Sequence, residues 1–133
     1  MKIPFFSKLA YPTLKRMAIG WTIFIFILCS FPGKALPHFN WMDMLSFDKW
    51  VHAGIFFILG ALYLYLFKTQ TNTKILRQNP RFFSFFFCFF YGLTLEYLQY
   101  KIFSQRSGDW GDVLANTSGA LLSLLSKLPE DDL

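Results

Sequence analysis

The sequence predicts an all-α membrane protein: a compact antiparallel bundle of four transmembrane helices. Three observations lead there. Hydrophobic residues make up 54% of the chain and aromatic ones 21%, with 18 Phe and only 16% charged residues, a balance too apolar for a soluble domain of this size. Four apolar runs, about 17–31, 50–67, 82–100 and 110–128, compare with the roughly 20 residues that a spanning helix needs. They are too continuously apolar for barrel strands, and a backbone in lipid must satisfy its own hydrogen bonds, which leaves helices.

The first run is the shortest, and its start extends back toward Tyr11. Lys15 and Arg16 ahead of it raise the question of a cleaved signal peptide. The residues that follow, Phe31 to Pro37, offer no small-residue cleavage site, so the run reads as an uncleaved anchor. Cys29 lacks the small residues that precede a lipid-attachment cysteine. With Cys88 it reads as a small apolar thiol inside a span. No disulfide or metal-ligand spacing is visible.

The connection over 32–49 contains Pro32, Gly33 and Pro37, then His38-Phe39-Asn40-Trp41-Met42, a mixture suited to a loop or a short interfacial helix. Asp48 is then the expected N-cap of the second span, with its carboxylate at the positive end of the helix dipole. Lys49 follows and can snorkel to the interface. His52, four residues after Asp48, shares its face. The connection over 68–81, with Thr69-Gln70-Thr71-Asn72-Thr73 and Pro80, reads as a solvated turn.

In the third span the Phe-rich stretch 85–90 is lipid-facing or core bulk. Gly92, Glu96 and Gln99 recur on one face near the end of the span. A Glu so close to apolar surroundings is partly desolvated and is a candidate acid or base. Arg106 in the next loop is the obvious cation for it, and an ion pair fixing that hairpin is the plain structural account. The fourth span opens with Asp109, Asp112, Asn116 and Gly119, again on one face, with Gly119 allowing a neighbour to approach. Asp109 can cap this helix, which leaves Asp112 and Asn116 unexplained by capping. Trp41, Trp50 and Trp110 sit at the same boundary and read as an aromatic belt. The acidic end, Glu130 to Asp132, reads as solvated.

Charge gives the orientation. Lys2, Lys8, Lys15 and Arg16 precede the first span, and Lys68, Lys74, Arg77 and Arg81 lie between the second and third, with no acid in either stretch. These are the expected cytoplasmic sides, so both termini are inside. The net charge of +5 is largely this bias. It does not point to nucleic acid, because the basic residues form no stripe with stacking aromatics.

Nearly all remaining polar groups of the spans therefore gather at the outer end, where ionisable residues from several helices mark a candidate site. Asp48-Lys49-x-x-His52 opening a span, Glu96-x-x-Gln99 closing one, Arg106, and Asp112-x-x-x-Asn116-x-x-Gly119 opening the last together resemble the VanZ-like family of small bacterial membrane proteins. The resemblance covers about residues 48–119. The founding member is associated with resistance to the glycopeptide teicoplanin, so the resemblance implies a bacterial plasma membrane and a role in the cell envelope, with no mechanism attached.

Three functional readings follow. In the first, an outward-facing pocket binds a polar or anionic head group, such as that of a lipid-linked cell-wall precursor. Lys49, Arg106 and a protonated His52 would hold phosphate, while Gln99 and Asn116 supply neutral hydrogen bonds. In the second, a membrane enzyme acts on a lipid-linked phosphate, with Glu96, His52 and Asp112 as catalytic candidates and carboxylates holding a divalent ion. In the third, the polar cluster only locks the helix ends. Asp48, Lys49, Gln99, Arg106, Asp109 and Asn116 are the ligand-binding candidates. Membrane lipid is the expected surrounding partner, and the sequence assigns no particular metal, cofactor or protein partner.

Overall fold

Pro12 and Pro80 each stand within the first two residues of a long helix, where a missing N–H is no loss and a fixed φ favours the helical turn. The computed structural model describes residues 3–30, 41–101 and 110–128, and for 41–48 the backbone only. Among the described residues all regular structure is helical: α1 (Pro4–Ser7), α2 (Tyr11–Ser30), α3 (Trp41–Thr69), α4 (Lys74–Gln78), α5 (Pro80–Lys101) and α6 (Trp110–Ser123). The first apolar run does start at Tyr11. Three helical stretches are long and apolar enough to cross a membrane: Tyr11–Ser30, Lys49–Thr69 and Pro80–Lys101.

Two boundaries depart from expectation. Asp48 is not an N-cap, because α3 begins seven residues earlier. Nothing between Pro37 and Gly54 breaks a helix, so the turn runs straight through Trp41 to Asp48. With 29 residues and about 1.5 Å per residue, α3 is roughly 43 Å long, more than the ~30 Å of a hydrocarbon core. Conversely, α6 stops at Ser123 instead of continuing to Leu128. Leu124, Leu125 and Ser126 each donate a backbone N–H three residues back, a tightening common where helices end. Its 14 residues span only about 21 Å.

Helix α3 is central and packs against α2, α5 and α6. Phe56, Leu59, Leu62, Leu64 and Tyr65 along it are buried. One core group joins Phe6, Leu14 and Ala18 to Leu62 and Tyr65, and another joins Ile25 and Cys29 to Phe56, Leu59, Cys88, Leu95 and Ala120. Two glycines let α3 and α6 touch. A Cβ on Gly119 would strike the Ala53 carbonyl oxygen, and one on Gly60 would strike the Ser123 hydroxyl. Such small-residue contacts suit helix pairing in lipid, where packing replaces the hydrophobic effect as the driving force.

Polar side chains stitch the helices at mid-depth. The Trp21 indole donates to the Ile55 carbonyl at 3.0 Å, Tyr63 and Thr22 share a hydroxyl contact at 3.0 Å, and the Tyr91 phenol donates to the Thr22 carbonyl at 2.7 Å. All three tie α2 to the rest. Tyr91→Phe is expected to lower unfolding free energy in detergent by about 0.6 kcal/mol, and by no more than roughly 1.7, the range of interhelical bonds in membranes; a thermal or SDS titration measures it.

At the opposite end from the polar cluster, Arg81 donates to the Leu124 and Ser126 carbonyls at 3.2 and 3.4 Å. A cation there meets both the leftover acceptors and the negative end of α6. The connection expected to be a simple solvated turn holds α4 and a clip in which Gln70 bonds both the N–H and the carbonyl of Thr73, at 2.8 and 2.6 Å.

The outward surface is apolar. Ile19, Ile23, Phe24 and Ile27 on α2 are exposed, as is the ladder Phe82, Phe86 and Phe90 on α5. A soluble monomer does not display contiguous apolar area on this scale. With three helices long enough to cross, the chain is a multi-pass membrane protein.

Candidate functional site

Four helices contribute to one polar end: the close of α2, the early turns of α3, the close of α5 and the start of α6. His52, Glu96, Gln99 and Asn116 are only 3–7% exposed there. Their burial follows from spacing, since Gly92, Glu96 and Gln99 lie on the inward face of α5, and Asn116 and Gly119 on the inward face of α6.

His52 and Asn116 are in direct side-chain contact, with Nδ1 and Oδ1 2.9 Å apart. An amide oxygen can only accept, so in this bond the imidazole donates through Nδ1. Gly92 makes the arrangement fit. A Cβ there would lie 3.4 Å from Asn116 Nδ2 and 3.3 Å from the Phe56 ring, so a side chain at position 92 would crowd both. One residue on along α3 and three along α6, Ala53 meets Gly119.

One turn outward on the same two helices, Lys49 Nζ lies 4.0 Å from Asp112 Oδ1. Asp112 belongs to the first turn of α6, where the helix dipole favours a carboxylate. This charged pair forms the rim, and the His52–Asn116 pair lies beneath it.

Gln99 turns toward α2 instead. Its Nε2 donates to the Cys29 carbonyl at 3.2 Å, so the first span joins the polar end through its backbone. Sequence reasoning expected little from that span. The acceptor is a main-chain oxygen, and no side-chain pattern could announce it. The residues that the sequence grouped thus separate into a His52–Asn116 and Lys49–Asp112 ladder between α3 and α6, a Gln99 link to α2, and a buried Glu96 on α5. Arg106 and Asp109 lie outside the described residues, as does the side chain of Asp48. Trp50 and Trp110 both stand exposed near this end, as a belt requires; Trp41 is described by its backbone alone.

Chemically, the described residues of the site offer a rim cation and carboxylate, Lys49 and Asp112, a buried carboxylic side chain, an imidazole that donates through Nδ1 and two carboxamides. Among the described residues no group of three or more His, Cys, Asp or Glu could hold a metal ion.

The VanZ/LLP1 family model matches residues 16–127, most of the chain, including α2 from Arg16 onward and the sequence before Asp48 that the motif resemblance did not reach. Comparison with curated proteins and with solved structures yields no match.

Proposed function

The chain belongs to the VanZ-like family, and from that premise we propose that its polar end is an outward-facing pocket for the head group of a membrane amphiphile. The ligand class is a polar or anionic head group such as a lipid-linked cell-envelope intermediate carries. The observation that carries this reading is the burial of Glu96, Gln99, His52 and Asn116 from three helices at one end of an otherwise apolar bundle, since ionisable groups in a membrane interior persist where they serve a site.

In this reading the protein sits in a bacterial plasma membrane with both termini cytoplasmic, following its positively charged loops. The fourth passage is made by α6 with residues 124–128, whose turns, at about 2 Å per residue, bring the total to roughly 30 Å. Lys49, with Arg106 from the neighbouring loop, meets the anionic group. Glu96 accepts a hydrogen bond from a hydroxyl or ammonium deeper in. A contribution to glycopeptide resistance, teicoplanin included, would come from holding such an intermediate.

A second reading has the network lock the helix ends and nothing more. It draws on the internal engagement of Gln99 with Cys29 and of His52 with Asn116.

Native mass spectrometry of gently purified protein separates the two. The pocket reading expects a co-purifying phosphate-bearing lipid, retained about tenfold less by Glu96→Gln, with that variant folded and monodisperse. If Glu96→Gln retains lipid as the parent does and differs only in thermal stability, the locking reading takes its place.

A further inference from the structure

We propose that the Lys49–Asp112 pair is an exchangeable latch, in which the Asp112 carboxylate holds Lys49 until the anionic group of the ligand replaces it. The inference rests on the head-group reading above and names the residue that sets its preference for charge. Three observations carry it.

The first is the looseness of the pair. At 4.0 Å, with side chains 39% and 13% exposed, Lys49 and Asp112 are at the outer limit of an ion pair and open to water on the lysine side. Contacts of this kind contribute little to stability and exchange readily. The second is depth. His52 and Asn116 lie beneath the pair at 2.9 Å, and Gly119 against the Ala53 backbone lies beneath them. Helices α3 and α6 are therefore held together by contacts that do not involve the rim, so Lys49 can change partner without the seam parting. The third is chemical. A phosphate carries the charge that Asp112 supplies and offers more acceptor oxygens, so the ammonium stays neutralised through the exchange, while the released Asp112 carboxylate keeps the positive end of α6, in whose first turn it lies, as its stabiliser.

The consequence is a filter. A neutral head group cannot displace Asp112, while an anionic one must compete with it, so the carboxylate sets the threshold for occupancy. No covalent step is involved. Removing the competitor should tighten anion binding, the opposite of what deleting an ordinary ligand-binding residue does.

The test titrates the full chain in detergent micelles with short-chain phosphatidic acid, with diacylglycerol of the same chains and with inorganic phosphate. Asp112→Asn is expected to bind phosphatidic acid about three- to tenfold more tightly than the parent, with diacylglycerol unchanged. Lys49→Ala binds it more weakly, and adding Asp112→Asn to Lys49→Ala restores nothing. Asp112→Glu, which keeps the charge, stays at the parent affinity. Asp112→Ser, a second neutral variant suited to a first helical turn, is run in parallel so that the result does not depend on one protein folding.

If the parent prefers phosphatidic acid over diacylglycerol and both neutral variants bind it equally or less tightly, the latch is overturned and the head-group reading stands. If Asp112→Glu tightens binding as much as Asp112→Asn, charge competition is not the cause and the latch falls in that case too. If the parent and the variants all fail to distinguish phosphatidic acid from diacylglycerol, both inferences fall. A gain with inorganic phosphate equal to that with phosphatidic acid supports the latch with a soluble anion as its user; a gain confined to the lipid supports it with a lipid phosphate.

Discussion

Gly119→Leu is expected to leave no folded bundle, read as loss of the monodisperse peak in size-exclusion chromatography. The reason is that the neighbouring atoms are backbone. A Cβ on Gly119 would collide with the Ala53 carbonyl oxygen and lie 2.9 Å from its carbon and 3.0 Å from its Cα. A clashing side chain can change rotamer, but a central helix cannot, so α3 and α6 must separate. Overpacking typically costs about 1–3 kcal/mol. Here separation also pulls Asn116 away from His52 and Ser123 away from Gly60, so the cost lies above that range. Gly119→Ala should move in the same direction with a lower melting temperature. Gly54, next to Ala53 in sequence, is the control: no atom lies within 4 Å of its Cβ position, and Gly54→Ala should hold or raise stability, since alanine favours helix over glycine. Equal melting of Gly119→Ala and the parent would refute the close approach.

The second large effect concerns the buried pair beneath the rim. His52→Ala and Asn116→Ala each remove one partner and leave the other in an apolar setting, at about 1–3 kcal/mol apiece. Because each variant loses the same bond, the double variant should cost less than the sum, with a coupling of about 0.5–2 kcal/mol. The measurement is a double-mutant cycle by SDS or thermal unfolding. Strict additivity would mean that His52 and Asn116 do not depend on each other.

Much of this site was legible because helical periodicity and polar scarcity act together. On α5 and α6 a charged or carboxamide side chain inside an apolar run favours the inward face, whereas exposed Thr94 and Ser118 bond back to their own helix, so Glu96, Gln99 and Asn116 could be assigned to a face from spacing alone, and Gly92 and Gly119 to the contacts between helices. Pairing was less accessible. Arg106, weighed as the cation for Glu96, lies outside the described residues, while the Lys49–Asp112 pair went unread because it depends on α3 and α6 standing side by side, with Lys49 and His52 three apart on one and facing residues four apart on the other. The cap at Asp48 failed for a local reason: sequence rules start a helix at the last good capping residue before an apolar run, whereas the chain keeps helical geometry through any stretch without a breaker. The role of α2 stayed hidden because it acts through the carbonyls of Thr22 and Cys29, which every residue possesses.

The shortness of α6 bears on how the protein enters its membrane during synthesis. A helix of 14 residues with Asp112, Asn116 and several hydroxyls is a poor substrate for lateral release into lipid on its own, being shorter than the roughly 20 residues of a spanning helix and carrying polar groups that lipid leaves unsatisfied. Its complements are earlier products of the ribosome: Lys49 and His52 for its polar start, Ala53 and Gly60 for its small-residue face, and Arg81 for its last carbonyls. If α6 makes the fourth passage, it is received by contacts that the preceding helices supply, and its integration is an act of docking more than of partitioning.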